Sequence, residues 1–215
     1  MDNTRATAAA LATSVLLAGG PAWAGEVEQN RQVAGFDRIT LAGSMDVQVR
    51  VGEAHSVKVI ADDKVIDRIV TEVTDGKLVI KQKSGSWRGG DADVEITLPE
   101  LTAFAINGSG DADITAVDSK SLTLAINGSG DLDVAGRCGS STLAINGSGD
   151  VDAEALKCDT VSVTINGSGN ADVYADEQVE VTIRGSADVT VHGNPDRVIP
   201  RSIAGSGRFT MADGG

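Results

Sequence analysis

The chain has 215 residues and a formal net charge of -13, with 41% hydrophobic residues and only 3% aromatic ones. That length suffices for one domain with a sizeable core. The acidic excess excludes general attraction to nucleic acid or to anionic membrane surfaces, and the shortage of aromatic rings argues against stacking platforms for bases or sugars. No nucleic-acid partner is expected.

Residues 1–24 read as a signal peptide: Arg5 supplies a positive n-region, Ala6 to Leu17 an apolar h-region, and Ala22-Trp23-Ala24 a cleavage site. The apolar run is too short for a comfortable span, so no transmembrane segment is expected. The expected address is outside the cytoplasm, either periplasmic or at the cell surface. Residues 25–35 are expected to be a linker and 36–212 a single domain.

From Phe36 to Val51 the alternation of Ile39, Leu41, Val47, Val49 and Val51 predicts two short strands around Gly43-Ser44, a first coil at 41–50 set apart from later ones. Residues 52–100 interrupt the pattern. Ser56 to Ala61 predicts a strand, and Asp62 to Ile69 a short helix with Asp62 as N-cap. Val70 to Lys83 predicts a hairpin turning at Asp75-Gly76, and Asp93 to Leu98 a further strand. Between them Ser84 to Gly90 is a polar loop. The whole segment is expected to be a lateral insertion or a cap on the first end.

From 106 to 211 the chain repeats itself. Ile106-Asn107-Gly108-Ser109-Gly110-Asp111 returns at Ile126, Ile145 and Ile165, and in degraded form at Ile183 and Ile203, with spacings of 20, 19, 20, 18 and 20. A period near 20 implies stacked coils, each burying its apolar side only against its neighbours. The columns Phe104/Leu124/Leu143/Val163/Val181 and Ala112/Leu132/Val151/Ala171/Val189 should be interior, and the Gly-Ser-Gly a tight corner. Pro195, Pro200, Arg201 and Arg208 spoil the last copy, where charge and proline discourage addition of another strand.

These residues also resemble a known family. The I-N-G-S-G-D repeats, the F-D-x-I-x-L-x-G-S-x-D-V opening at Phe36 and the D-G-K-L-x-I hairpin at Asp75 are similar to the "putative auto-transporter adhesin, head GIN domain" family, from about Phe36 to Met211. The resemblance implies an all-β, right-handed parallel β-solenoid of pectin-lyase-like shape, an adhesive role and no assigned catalytic residues.

Candidate site residues come from the outward columns. Asn107, Asn127, Asn146 and Asn166 should form an amide ladder along the axis. Asp111, Asp131 and Asp150, and beside them Asp113, Asp133, Asp152 and Asp172, place like charges ~4.8 Å apart, which costs about 1 kcal/mol per pair even in water. Either each carboxylate accepts turn N–H groups and stays solvated, or calcium bridges the coils, since G-S-G-D-x-D resembles the calcium-binding repeat of other β-solenoids. No other cofactor is indicated, and the metal question stays open. The serine column (Ser109, Ser129, Ser148, Ser168, Ser186, Ser206) lacks a nucleophile signature, and His55 and His192 stand in unrelated contexts.

Cys138 and Cys158, each seven residues before its Ile, should meet as a disulfide. The function expected is non-enzymatic: a binding or adhesion module recognising a protein or charged envelope polymer. A polysaccharide-acting enzyme and a calcium-stabilised repeat protein are the alternatives.

Overall fold

The structure is a computed structural model and describes residues 25–83 and 92–212. The signal peptide read at 1–24, the loop read at Ser84 to Gly90 and the final glycines lie outside the described residues. The strands in chain order are β1 (Glu26–Arg31), β2 (Arg38–Gly43), β3 (Asp46–Val51), β4 (Ser56–Asp62), β5 (Ile69–Thr74), β6 (Lys77–Gln82), β7 (Ala92–Leu98) and β8 (Ala103–Gly108). They continue with β9 (Ala112–Gly128), β10 (Leu132–Gly147), β11 (Val151–Gly167), β12 (Ala171–Gly185), β13 (Asp188–His192), β14 (Arg197–Gly205) and β15 (Arg208–Met211).

The repeats stack as a parallel β-solenoid. Ile106, Ile126, Ile145 and Ile165 pair in register across β8, β9, β10 and β11, as do Phe104, Leu124, Leu143 and Val163. All eight are buried in one continuous apolar core. The repeat is what permits this, because a strand whose side chains alternate can bury one row only if the neighbouring coil supplies the same row at the same height.

Each coil has three sides rather than the two strands and a connection that the alternation suggests. Burial runs through Ala112 and Ile114, changes phase to Val117 and Ser119, and changes again to Leu122, Leu124 and Ile126. The second phase change is easy to miss in the sequence, since the middle side is only a few residues long and contains Gly136 and Gly139 in the next coil. That short side carries the disulfide. Cys138 pairs with Cys158 in register, with Cα atoms 4.5 Å apart and the sulfurs bonded.

The Gly-Ser-Gly corner is fixed by stacking. Gly128 has φ +149, and a Cβ there would stand 1.9 Å from the carbonyl oxygen of Gly108 one coil below. The oxygen is held because it accepts the Ser129 N–H at 3.0 Å. A side chain at this position would meet backbone that cannot retreat.

Of the two readings of 52–100, the described strands bear out the cap on the first end and not the lateral insertion. β6 runs parallel to β2, with Leu78 opposite Ile39 and Ile80 opposite Leu41, while β7 runs parallel to β3, with Val94 opposite Val47. β6 and β7 therefore form an additional layer outside the first coil, so the chain lays down its second-outermost layer of parallel strands before its outermost. The coil at 41–50 is also not set apart, because Leu41 pairs directly with Ile106. The antiparallel partners then close this end: β5 on β6, turning at Asp75 and Gly76 with φ 50 and 73, and β4 on β7.

Two further expectations are corrected. Residues 26–31, read as linker, form β1, antiparallel to β4. The helix expected over Asp62 to Ile69 is a single 3-10 turn, Ile66–Arg68, preceded by Val65 without a side-chain cap. Asp62 instead accepts the Lys64 N–H at 2.9 Å, a local Asx turn that takes the chain around before a helix can begin.

Candidate functional site

The three sides of the solenoid differ in chemistry, because each outward column repeats its residue type. The side ending at the Gly-Ser-Gly corner is uncharged from β8 to β11: Ala103, Ala105 and Asn107, then Thr123, Ala125 and Asn127, then Thr142, Ala144 and Asn146, then Ser162, Thr164 and Asn166. Its edge carries the amide ladder. Asn127 donates to Asn107 at 2.9 Å, Asn146 to Asn127 at 3.0 Å and Asn166 to Asn146 at 2.9 Å. Asn127 and Asn146 each use one N–H downward and one oxygen lone pair upward, which ties the amides to one another along the axis.

The short middle side is zwitterionic. Arg137 grips Asp118 through Nε at 3.1 Å and a terminal nitrogen at 2.6 Å, which holds the Asp118 carboxyl below its ordinary range, chiefly by the hydrogen bond and then by charge. Lys157 lies 3.6 Å from the centre of the Tyr174 ring, and the Tyr174 hydroxyl donates to Asp176 at 3.0 Å. The disulfide sits beneath this layer, both cysteines being buried.

The third side, after the corner, is acidic, and here two columns that look alike in sequence behave differently. In the first column every carboxylate accepts the backbone N–H of its counterpart one coil up. Asp111 accepts from Asp131 at 2.8 Å, Asp131 from Asp150 at 2.8 Å and Asp150 from Asn170 at 2.6 Å. The same ladder reaches Asp46 below, and through Asn170 and Asp188 to Arg208 above. Repetition of Asp at the turn did not single out Asp46 and Asp188 as members; only the register does. Anionic acceptors on turn N–H groups offset the mutual repulsion of the column.

The second column has no such anchor. Asp113, Asp133 and Asp152 stand side by side on β9, β10 and β11, followed by Asp172 on β12. Asp152 accepts the Glu154 N–H at 3.1 Å, whereas Asp133 has no hydrogen-bond or ion-pair partner among the described residues. Its carboxyl is raised above the ordinary range, first by loss of hydration in the crowded row and then by the charges of Asp152, Asp113, Asp131 and Asp111. With Asp131, Asp150 and Asn170 it lines a shallow open trough. Among the described residues no group of three or more His, Cys, Asp or Glu is arranged to hold a metal ion.

The row continues to both ends of the solenoid. Lys58 pairs with Glu95 at 2.8 Å below it, and His192 lies 3.5 Å from Glu154 and 3.9 Å from Asp172 above it. His55 is elsewhere, its Nε2 at 2.8 Å from the Phe36 carbonyl and its ring edge-on to Phe36. The two histidines thus serve separate local contacts. The six column serines repeat one environment, each N–H bound to the first corner glycine of the coil below.

Comparison with known proteins places this geometry. A crystal structure of a "putative adhesin" from Bacteroides fragilis superposes with a TM-score of 0.73 at 19% identity, covering 88% of this chain and 98% of that one. A "putative lipid binding protein" from Parabacteroides distasonis gives a TM-score of 0.60 at 20% identity, covering 89% and 98%. Identities this low establish the fold alone. No curated protein matches the sequence. The family described as "Putative auto-transporter adhesin, head GIN domain" matches residues 35–195, the greater part of the chain, and the protein belongs to that family.

Proposed function

We propose that the protein is an exported, non-enzymatic binding module of the adhesin type, whose working surface is the acidic side. In this reading residues 1–24 are removed on export and 36–212 are the working domain. The observation that carries it is the row Asp113, Asp133, Asp152 and Asp172, which presents one chemical group at the regular interval of the coils. A repeated flat row suits an extended partner that offers cationic or polar groups at its own intervals, such as a basic protein segment or a charged envelope polymer. Asp111, Asp131 and Asp150 serve beside it mainly as the structural column, since each has committed one oxygen to the backbone.

Catalysis would need dissimilar groups brought together at one place, with an acid or base set apart by its surroundings. Here the serines recur in like settings from coil to coil, the carboxyl that is set apart, Asp133, has other carboxylates around it, and the histidines lie in different contacts. The disulfide fits an oxidising compartment.

The test is capture of envelope fractions by the purified protein beside the triple variant Asp133→Asn/Asp152→Asn/Asp172→Asn, which keeps shape and removes charge. Binding that falls at least about tenfold in the variant and weakens with salt supports the reading. Binding that is equal in both, or turnover of a polysaccharide panel without binding, reverses it.

A further inference from the structure

We infer that the two ends of the solenoid fit one another, so that the chain self-associates head to tail, with β15 of one copy laid against β1 of the next. Four independent features of the ends point this way. β1 and β15 are the first and last strands of the acidic side's ladder, β1-β4-β7-β3-β9-β10-β11-β12-β13-β15, and among the described residues each has a strand partner on one side only. The strand spacing and the face alternation of one copy can therefore continue into the next without a break.

Among the described residues, exposure of large apolar side chains is confined to these ends. Among the described residues the exposed large hydrophobic side chains are Val27 at 38% on β1, with Val198 at 40% and Ile203 at 44% on β14. Ile203 stands in the column that is wholly buried at Ile183 one coil below; it is exposed where no described strand covers it. Phe209 and Met211 on β15 pack against the core but remain partly open for the same reason. On β1 the inward row is Val27, Gln29 and Arg31, opposite the buried Ala61, Val59 and Val57, and Val27 is its apolar member.

The ends also differ in charge. Residues 194–212 hold Arg197, Arg201 and Arg208 against Asp196 alone, a net +2 in a chain of -13. β1 carries Glu26 and Glu28, both exposed, against Arg31, whose guanidinium is turned onto the Ile66 and Ile69 carbonyls. Two final coils facing each other would set arginine against arginine, whereas head-to-tail contact sets Arg208 beside Glu26 and Glu28. The contact is heterologous and does not close on itself, so the product is an open chain of copies.

Finally, the last coil is blocked on one side only. Pro195 precedes β14 and Pro200 lies within it, where a missing N–H discourages a further strand. β15, Arg-Phe-Thr-Met, contains no proline. The open edge is the one that shares its ladder with β1.

Sedimentation velocity over a range of concentrations tests this with charge variants whose mutated side chains are all exposed. The purified wild-type chain should sediment faster as concentration rises. Arg197→Glu/Arg208→Glu and Glu26→Lys/Glu28→Lys should each associate at least about tenfold more weakly, from reversal of contact charges. An equimolar mixture of the two variants should regain association, because each then offers the end the other needs. Unchanged circular dichroism melting of each variant shows that the fold survives. A wild type that is monomeric at every concentration, an arginine variant that associates like wild type, or a mixture that stays monomeric would overturn the inference.

Discussion

Replacing Asp133 by Asn should stabilise the protein, although it removes a charge from the most regular part of the sequence. Asp133 lies between Asp113 and Asp152 in adjacent coils, and its carboxylate accepts no hydrogen bond among the described residues. At ~4.8 Å each neighbour repels it by about 0.9 kcal/mol in water, and screening at physiological ionic strength leaves roughly half of that. Two neighbours give about 1 kcal/mol, or ~2–4 °C in melting temperature for a chain of this size. The sign with pH follows from the raised carboxyl. The native state holds this proton more tightly than the unfolded chain, so stability falls as pH rises from the ordinary carboxylate value through the raised one. The advantage of Asn should therefore be full at pH 7 and fade as the pH falls toward the ordinary carboxylate range. It should also shrink in 1 M salt. Melting curves at pH 7 and in mild acid, each with and without salt, decide the matter. An Asn variant that melts lower at pH 7, or one whose gain is unaffected by salt, refutes the electrostatic reasoning.

Asp131→Ala should act in the opposite direction, losing about 0.5–1.5 kcal/mol as the Asp150 N–H loses its anionic acceptor, less any relief of repulsion, and chemical denaturation would read it. Gly128→Ala should cost about 3 kcal/mol or more or prevent folding, because its Cβ would stand 1.9 Å from the Gly108 oxygen, while Gly35→Ala, with φ +74 and open space around it, should cost only about 1 kcal/mol. Reducing Cys138–Cys158, which closes a loop of 20 residues, should lower stability by roughly 3 kcal/mol, seen as a fall in melting temperature under reductant that Cys138→Ser/Cys158→Ser reproduces. Millimolar calcium should raise the melting temperature no more than magnesium at equal ionic strength; a larger, saturable rise would mean that ions bridge the second Asp column.

The repeat made the parallel stack, its interior columns and the disulfide legible, because in-register coils bring equal positions together whatever the details of the turns. Three features escaped for physical reasons. β6 and β7 lack the I-N-G-S-G-D phrase, and the place of β6 follows from edge pairing of Leu78 and Ile80 with β2, which no local pattern encodes. The middle side is too short to show alternation, so a layer holding Arg137, Asp118 and Lys157 was invisible. The two Asp columns are one residue type at positions two apart. Only the hydrogen bonds separate the column that ties coils together, through Asp111, Asp131 and Asp150, from the column around Asp133 that repels itself and faces outward.

The faces, the ends and the ladders all depend on the register of the stack, most of all where the chain lays down coils out of sequence order. Cysteine pairs on the side that ends at the Gly-Ser-Gly corner measure it directly, with oxidised products mapped by peptide mass spectrometry. Thr40→Cys/Val79→Cys and Thr40→Cys/Ala105→Cys should both cross-link, since Thr40 lies opposite each of these residues in the strands flanking β2. Val79→Cys/Ala105→Cys should not, being two strands apart at ~9.6 Å, beyond the reach of a disulfide. Efficient cross-linking of Val79 to Ala105, with none from Thr40 to Val79, would place residues 77–82 elsewhere and contradict the order of coils.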